Sequence, residues 1–157
     1  MTPQYLAGFI DGEGCIDVQR YYQRGKYAGQ LYVRPRLRIV QATSGKLMVN
    51  MLTDKFGGHV YHRKRGNKNQ QDSVSWEFVS YPDVKRILKI ILPHLIVKRE
   101  QAKLVLWWIK HMQGIRSDNF AGIIEARTVF AEELSAMKRD SQRLSERAIA
   151  KIKRLMR

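Results

Sequence analysis

Cysteine is almost missing from this chain, and that alone removes several protein classes. The single Cys15 cannot form an intrachain disulfide, and with four scattered histidines it offers no C-x-x-C or comparable zinc spacing. A disulfide-stapled secreted fold and a structural zinc module are both set aside. Long apolar runs are missing as well. No stretch approaches the roughly 18 consecutive apolar residues of a spanning helix, and no secretory signal is visible, so no membrane partner is expected. Acidic residues are scarce: 14 Asp plus Glu face 29 Lys plus Arg, for a net charge of +15. The excess runs from Arg20 to Arg157 instead of collecting in one tail, as a folded basic surface requires. Such a surface favours a polyanion, held in a strongly salt-dependent way, and nucleic acid is the leading partner. With 157 residues and 44% hydrophobic content, the chain suffices for one well-packed domain, taken as residues 1–157, and is short for two.

Local patterning gives the order of elements. Thr2-Pro3 is a helix start, and the helix should run to about Glu13, where Gly14 breaks it. Cys15 to Tyr22 alternates, with Ile16, Val18 and Arg20 against Asp17, Gln19 and Tyr21. After a glycine-containing loop, Leu31, Val33, Leu37 and Ile39 alternate with Tyr32, Arg34, Arg36 and Arg38; Pro35 falls in the apolar series and marks an edge or bulge. Thr43-Ser44 can cap a core-packing helix carrying Leu47, Met48, Met51, Leu52 and Phe56, ended by Gly57-Gly58. Val60 to Arg65 and Val74 to Ser80 form a second strand pair, with Val74, Trp76 and Phe78 inward and Ser73, Ser75 and Glu77 outward. A helix from Pro82-Asp83 through Leu92 is interrupted by Pro93, resumes over Ile96 to Met112, and is followed by helices near Asn119–Met137 and Ser141–Met156. The expected class is α+β, an α-β-β-α-β-β-α core with a four-stranded antiparallel sheet and further C-terminal helices.

Period-two geometry gathers a polar, cationic face on that sheet. Asp17, Gln19, Tyr21, Tyr32, Arg34, Arg36, Arg38, Tyr61, Arg63, Arg65, Ser75 and Glu77 share it. A two-stranded ribbon of this kind fits the DNA major groove, where Arg reads guanine. A solvated sheet face and an RNA platform are the alternatives; outward positions that are mainly Arg favour DNA over base stacking on RNA. Lys138, Arg139 and Arg143 open a basic C-terminal segment suited to backbone phosphates. Trp107 and Trp108 lie in an apolar helix and are assigned to packing.

The first helix holds the chemistry. Gly8 and Gly12, with Ala7, leave one helix face almost bare, so another helix can approach closely. Two copies packed about a twofold axis would bring Glu13 beside its symmetry mate, which is costly unless a cation such as Mg²⁺ lies between the carboxylates. Paired metals can stabilise both the attacking and the leaving oxygen of a phosphodiester displacement. Read from the residues alone, solvated acids at a glycine-rich helix end fit equally well.

Leu6-Ala7-Gly8-Phe9-Ile10-Asp11-Gly12-Glu13-Gly14 resembles the motif of the LAGLIDADG homing endonucleases, and the order of elements is similar to that family's core. The resemblance implies a homodimer joined through Ala7, Gly8, Asp11 and Gly12, cutting long, nearly palindromic double-stranded DNA sites by Mg²⁺-dependent hydrolysis. It implies metal binding by Glu13 with the Gly12 carbonyl, and a structural Asp11 that ties the motif helices together. Gln41 would order the catalytic water, and Lys98 would stabilise charge. Glu13 stands where many members have Asp. Gly45-Lys46 departs from the basic residue that relatives add after the position of Gln41. Phe120 to Ala126 echoes the motif but lacks its Gly-acid-Gly ending, and too few residues follow for a second core, so it is read as an amphipathic helix. An intron-RNA maturase or a non-cleaving DNA-binding protein on the same fold remains the alternative. The cell compartment stays open, since the family is common in organelles and in archaea.

Overall fold

The computed structural model describes all residues except 23, 26–27, 65, 67–70, 113–120, 141 and 157, and the side chain of residue 121. Helix α1 (Pro3–Glu13) begins where Thr2 Oγ1 accepts the Tyr5 N–H at 3.2 Å, with Pro3 at the first helical position. Leu6, Ala7 and Ile10 point into the core. No loop follows. Strand β1 (Gly14–Tyr22) starts at once, and a Cβ on Gly14 would lie 2.8 Å from the Ile10 backbone. Only glycine lets the chain turn from helix to strand so abruptly, which holds the motif acids at the mouth of the sheet.

Strands β1, β2 (Leu31–Ala42), β3 (His59–Arg63) and β4 (Ser73–Phe78) form one antiparallel sheet in the order β1-β2-β4-β3. Gly14 faces Ile39, Leu37 faces Phe78 and Tyr61 faces Ser75. One sheet face is the core: Ile16, Val33, Leu37, Ile39, Val74, Trp76 and Phe78 are buried there, as the alternation predicted. Pro35 is also buried, in an interior strand. It is tolerated because it pairs with Val18 of β1 while the register with β4 begins only at Leu37. The edge inferred from Pro35 is therefore local.

Helices α2 (Lys46–Phe56), α3 (Tyr81–Ile91), α4 (Arg99–Met112), α5 (Ala121–Arg139) and α6 (Ser145–Leu155) complete the described elements, with short 3₁₀ turns at Thr43–Gly45 and Leu92–His94. Trp76 donates its indole N–H to the Gly57 carbonyl at 2.7 Å. Gly57 and Gly58 have φ of 74° and 99°, which stops α2 and brings the backbone against Trp76. Trp108 stacks on Phe130 at 4.2 Å, so this tryptophan does pack the helices. Among the described residues no helix is long and apolar enough to cross a membrane.

Four expectations need correction. Leu47 and Met51 are 74% and 48% exposed, whereas Leu52 and Phe56 are buried as expected, together with Val49, and Met48 packs partly against the core. Helical spacing identified the helix and most of its inward face but counted Leu47 and Met51 into it wrongly. Ile96 and Val97 lie outside α4, which starts only at Arg99, because a distant carboxylate takes up the backbone N–H groups at this point. The third strand ends at Arg63, and Arg65 lies outside the described residues. The final helix starts at Ser145, later than the sequence suggested.

The motif-like stretch at residues 120–126 opens α5 from Ala121 and packs inside its own chain. Ile123, Ala126, Phe130, Leu134 and Met137 are buried at helical spacing. A Cβ on Gly122 would sit 2.0 Å from the Leu155 carbonyl oxygen, so this glycine serves contact between α5 and α6. That use of the glycine supports an amphipathic helix.

Candidate active site and nucleic-acid interface

The last turn of α1 is tied to the approach of α4 by one side chain. Asp11 Oδ2 accepts the Ile96 N–H at 2.7 Å and Oδ1 accepts the Lys98 N–H at 2.8 Å. The Lys98 ammonium returns the contact by donating to the Asp11 carbonyl. A carboxylate at the N-terminal approach of α4 meets unsatisfied N–H groups, and the C-terminal end of α1 gains a cation against its carbonyls. These bonds are within one chain. Asp11 clamps its own helix to the α3–α4 turn; the tie between two motif helices expected of it concerns a second copy of the chain.

The clamp fixes Lys98 beside the motif acid. Burial pushes the Lys98 ammonium below the ordinary lysine pKa; Asp11, Cys15 and Glu13 pull the other way without restoring it. Glu13 itself is exposed at the end of α1. A cavity of about 230 Å³ adjoins Lys98, lined in part by Cys15, Gln101 and Lys138. Gln41 lies two residues beyond the Gly14–Ile39 pair, at the same end of the sheet as Glu13. It pairs with Val74 and is half-buried on the core-facing parity, outside the alternation of the cationic face. A Cβ on Gly45 would lie 2.8 Å from Gln41 Cβ, so glycine at 45 keeps room for the glutamine. This accounts for the missing basic residue at that point, and Lys46, exposed at the start of α2, follows directly.

Among the described residues no three His, Cys, Asp or Glu side chains gather into a metal site. The donors at the end of α1 still suit a hard divalent cation: one exposed carboxylate from Glu13, next to the C-terminal carbonyls that a helix leaves unsatisfied. A single chain supplies only part of a coordination shell, and phosphate oxygens and a second copy would have to supply the rest.

The bare face of α1 is present, with one change of membership. A Cβ on Gly8 or Gly12 would meet nothing within 4 Å, and both positions are exposed. Ala7 is fully buried beside Leu6 and Ile10, so it has no surface to offer a partner. The sequence reading grouped Ala7 with Gly8 by adjacency, but neighbours on a helix point roughly 100° apart. The reading missed an apolar rim. Tyr5 is 48% exposed, lies near Phe9, and directs its hydroxyl to Met48 Sδ at 3.8 Å. Leu47 and Met51 are exposed on that same helix, and Ile96, 86% exposed, is held to Asp11 beside Val97. Exposed apolar side chains clustered around a glycine face suit a protein contact, and only tertiary placement brings them together.

The outer sheet face forms a groove of about 630 Å³ whose lining includes Gln19, Arg36, Arg38, Tyr61, Arg63, Ser75 and Glu77. Asp17 faces this sheet side but is buried, so it presents little surface to a ligand. It accepts from Arg36 Nε and Nη2 at 2.8 and 3.0 Å, with Arg38 Nη2 at 3.3 Å and Lys138 Nζ at 3.8 Å. Burial raises the Asp17 carboxyl pKa, but the Arg36 hydrogen bonds and the three nearby cations more than offset this and leave it lowered. The bond to Asp17 raises Arg36 in turn. Glu77 takes the Ser75 hydroxyl at 3.0 Å and lies 3.7 Å from Arg36 Nη1. Farther out, Tyr21 and Tyr32 rings meet at 4.9 Å, Arg34 lies over Tyr21, and the buried Arg127 lies over Tyr32 at 4.9 Å. Arg127 was not foreseen, because nothing in an amphipathic helix marks one arginine as buried. Lys138 also donates to Cys15 Sγ at 3.1 Å, Arg139 is exposed, and Arg143 pairs with Glu133 at 3.5 Å.

Comparison with known proteins agrees with this layout. A family model described as LAGLIDADG endonuclease matches residues 6–107. The DNA endonuclease I-CvuI of Chlorella vulgaris is 33% identical over 112 residues, spanning 71% of this chain and 66% of that protein. The crystal structure of I-CvuI with its target in the presence of 2 mM Ca superposes with a TM-score of 0.71 at 27% identity, covering 98% of this chain and 93% of that one. A second, with the I-CreI target and 2 mM Mg, shows uncleaved DNA and gives 0.70 at 26% identity, covering 99% and 94%. The archaeal intron-encoded I-Vdi141I in complex with DNA, at 18% identity and a TM-score of 0.67 over 98% and 95% of the chains, shares the fold.

The clamp can be tested by its removal. Asp11→Ala leaves two backbone N–H groups without their acceptor and should lower unfolding free energy by about 2 kcal/mol in urea titrations; an unchanged midpoint would show that water replaces the carboxylate at no cost.

Proposed function

Since the chain belongs to the LAGLIDADG endonuclease family, we propose that it is a homodimeric homing endonuclease that makes double-strand breaks in a long, nearly palindromic DNA site with Mg²⁺. The observation that carries the reading is the clamp: Asp11 brings Lys98 to the helix end that presents Glu13. A non-cleaving binder or an RNA-binding maturase has no need of a lysine kept beside an exposed carboxylate by three hydrogen bonds.

Two copies meet through Gly8, Gly12 and the rim of Tyr5, Ile96 and Val97. Their cationic sheet faces then form one surface along the duplex, and each protomer serves one strand. Glu13 and the Gly12 carbonyl would hold the divalent cation, whose chemistry there would be to lower the pKa of a water and neutralise charge on the phosphate. Gln41 donates to or accepts from the attacking water and orients it. Lys98 places its positive charge where charge builds on the phosphate; because it is prefixed by Asp11, little reorganisation is needed during reaction. Arg38, Arg63 and their neighbours lie over base edges, and Lys138, Arg139 and Arg143 grip phosphates from the end of α5 and beyond.

Incubation with a DNA target library and Mg²⁺ should yield discrete double-strand breaks. Glu13→Gln should bind the selected site with unchanged affinity yet cut it at least about 1000-fold more slowly, in line with the loss of a principal charge-stabilising group; full nicking activity in that variant would refute the metal role. Lys98 supplies a pH test. Its charged form is disfavoured by burial, so cleavage falls as pH rises through a value below the ordinary lysine range. Lys98→Arg, which stays charged, should retain some activity and lose that alkaline limb. An identical limb in both proteins would assign it to another group.

A further inference from the structure

The sheet's arginines are not equivalent, and the difference is set by a single buried acid. Arg36 and Arg38 both line the outer groove, two residues apart on β2. Arg36 has little left to give a ligand. Its Nε and Nη2 make a two-point contact with Asp17 at 2.8 and 3.0 Å, its Nη1 faces Glu77, and its side chain is 17% exposed. Bidentate guanidinium–carboxylate pairs are among the strongest charge-assisted contacts, and breaking one inside a protein leaves a costly unpaired charge. Arg38 is held more lightly. It touches Asp17 through Nη2 alone at 3.3 Å, and at 33% it is twice as exposed. Its Nε is buried without a partner, so what a 33% exposed side chain can offer a ligand is its terminal Nη end.

We propose that Asp17 is a specificity-determining positioning residue, which withdraws Arg36 from the DNA and presents Arg38 as the one guanine reader at this point of the half-site. The idea rests on the DNA-cleaving reading above and narrows it. An arginine contacting guanine O6 and N7 needs two donors in a fixed orientation, and a carboxylate steadying one side of Arg38 supplies that orientation before DNA arrives. Two free arginines at neighbouring outward positions would instead find phosphates in many arrangements, which gives affinity without sequence preference. Arg38 pairs with Cys15, two residues from Glu13. At about 3.3 Å per strand residue and 3.4 Å per base pair, the guanine lies about two base pairs from the cut phosphate.

The test compares the parent protein with Asp17→Asn and Arg38→Ala by selection from a randomised target library, with binding of the selected site measured across a salt series. Arg38→Ala should lose guanine preference at one base pair of each half-site, about two base pairs from the cut, roughly 10- to 100-fold. Asp17→Asn should blunt preference at that same base pair and make the salt dependence steeper by about one unit of slope, because a released arginine gains a phosphate. A merely structural acid would lower the urea midpoint and weaken all sequences alike, leaving the preference and the slope unmoved. A folded Asp17→Asn protein with the parent's preference and slope overturns the proposal. Should Asp17→Asn fail to fold, an Arg38→Ala profile unchanged at every position overturns it equally. A parent protein that shows no preference in the library refutes the endonuclease reading, and the proposal with it.

Discussion

Asp11 spans more than eighty residues of sequence to accept two backbone N–H groups, and the placement of nearly every other functional group follows from that contact. The bond closes the α3–α4 turn over the end of α1 and fixes where α4 begins. It turns Ile96 and Val97 outward and brings the Lys98 ammonium to the motif helix. Gly14 completes the constraint from the other side, since its missing side chain lets α1 pass into β1 without a connecting loop. The helix end, the first strand of the sheet and the basic residue are thus rigidly related, which is how a reactive site is kept pre-organised at low reorganisation cost.

The sheet face obeys a second constraint, the distribution of a few acids among many cations. A chain of net charge +15 has ample attraction for a polyanion. Affinity is therefore the lesser problem, and discrimination among sequences the greater one. Asp17 and Glu77, nearly buried among arginines, reduce the number of free charges and give those that remain a direction. The same economy is visible at Glu133 of α5, which holds both Arg143, between α5 and α6, and Lys151 of α6.

Much of this was legible in the chain itself, and the exceptions share a cause. Period-two alternation placed Val33, Leu37, Ile39, Val74, Trp76 and Phe78 on one face because a half-buried strand leaves a strong local signature. The Thr2-Pro3 start and the glycine stop of α1 are equally local. Where the reading went astray, the deciding contact lay far away in sequence. Nothing near Ile96 announces that Asp11 will take its N–H group, so apolar spacing extended α4 too early. Asp17 was counted among outward polar residues because alternation reports a face and is silent about which neighbours have already claimed a side chain. Ala7 and Gly8 looked alike as small residues, yet one turns into the core and the other to open space. Gln41 sits on the inward parity at a strand end, a place where burial and exposure meet and alternation ceases to discriminate.

The glycine face of α1 is the point at which the proposed homodimer is most exposed to contradiction, since in that proposal a second copy supplies half of the active surface across it. Oxidative cross-linking of Gly8→Cys in a Cys15→Ser background measures that approach directly, because a disulfide forms only when Cα atoms come within about 7 Å. Gly8→Cys should convert rapidly to a covalent dimer, with Lys151→Cys on the exposed face of α6 remaining monomeric under the same oxidant. A Gly8→Cys protein that stays monomeric, or that cross-links no faster than the Lys151→Cys control, would contradict the proposed homodimer.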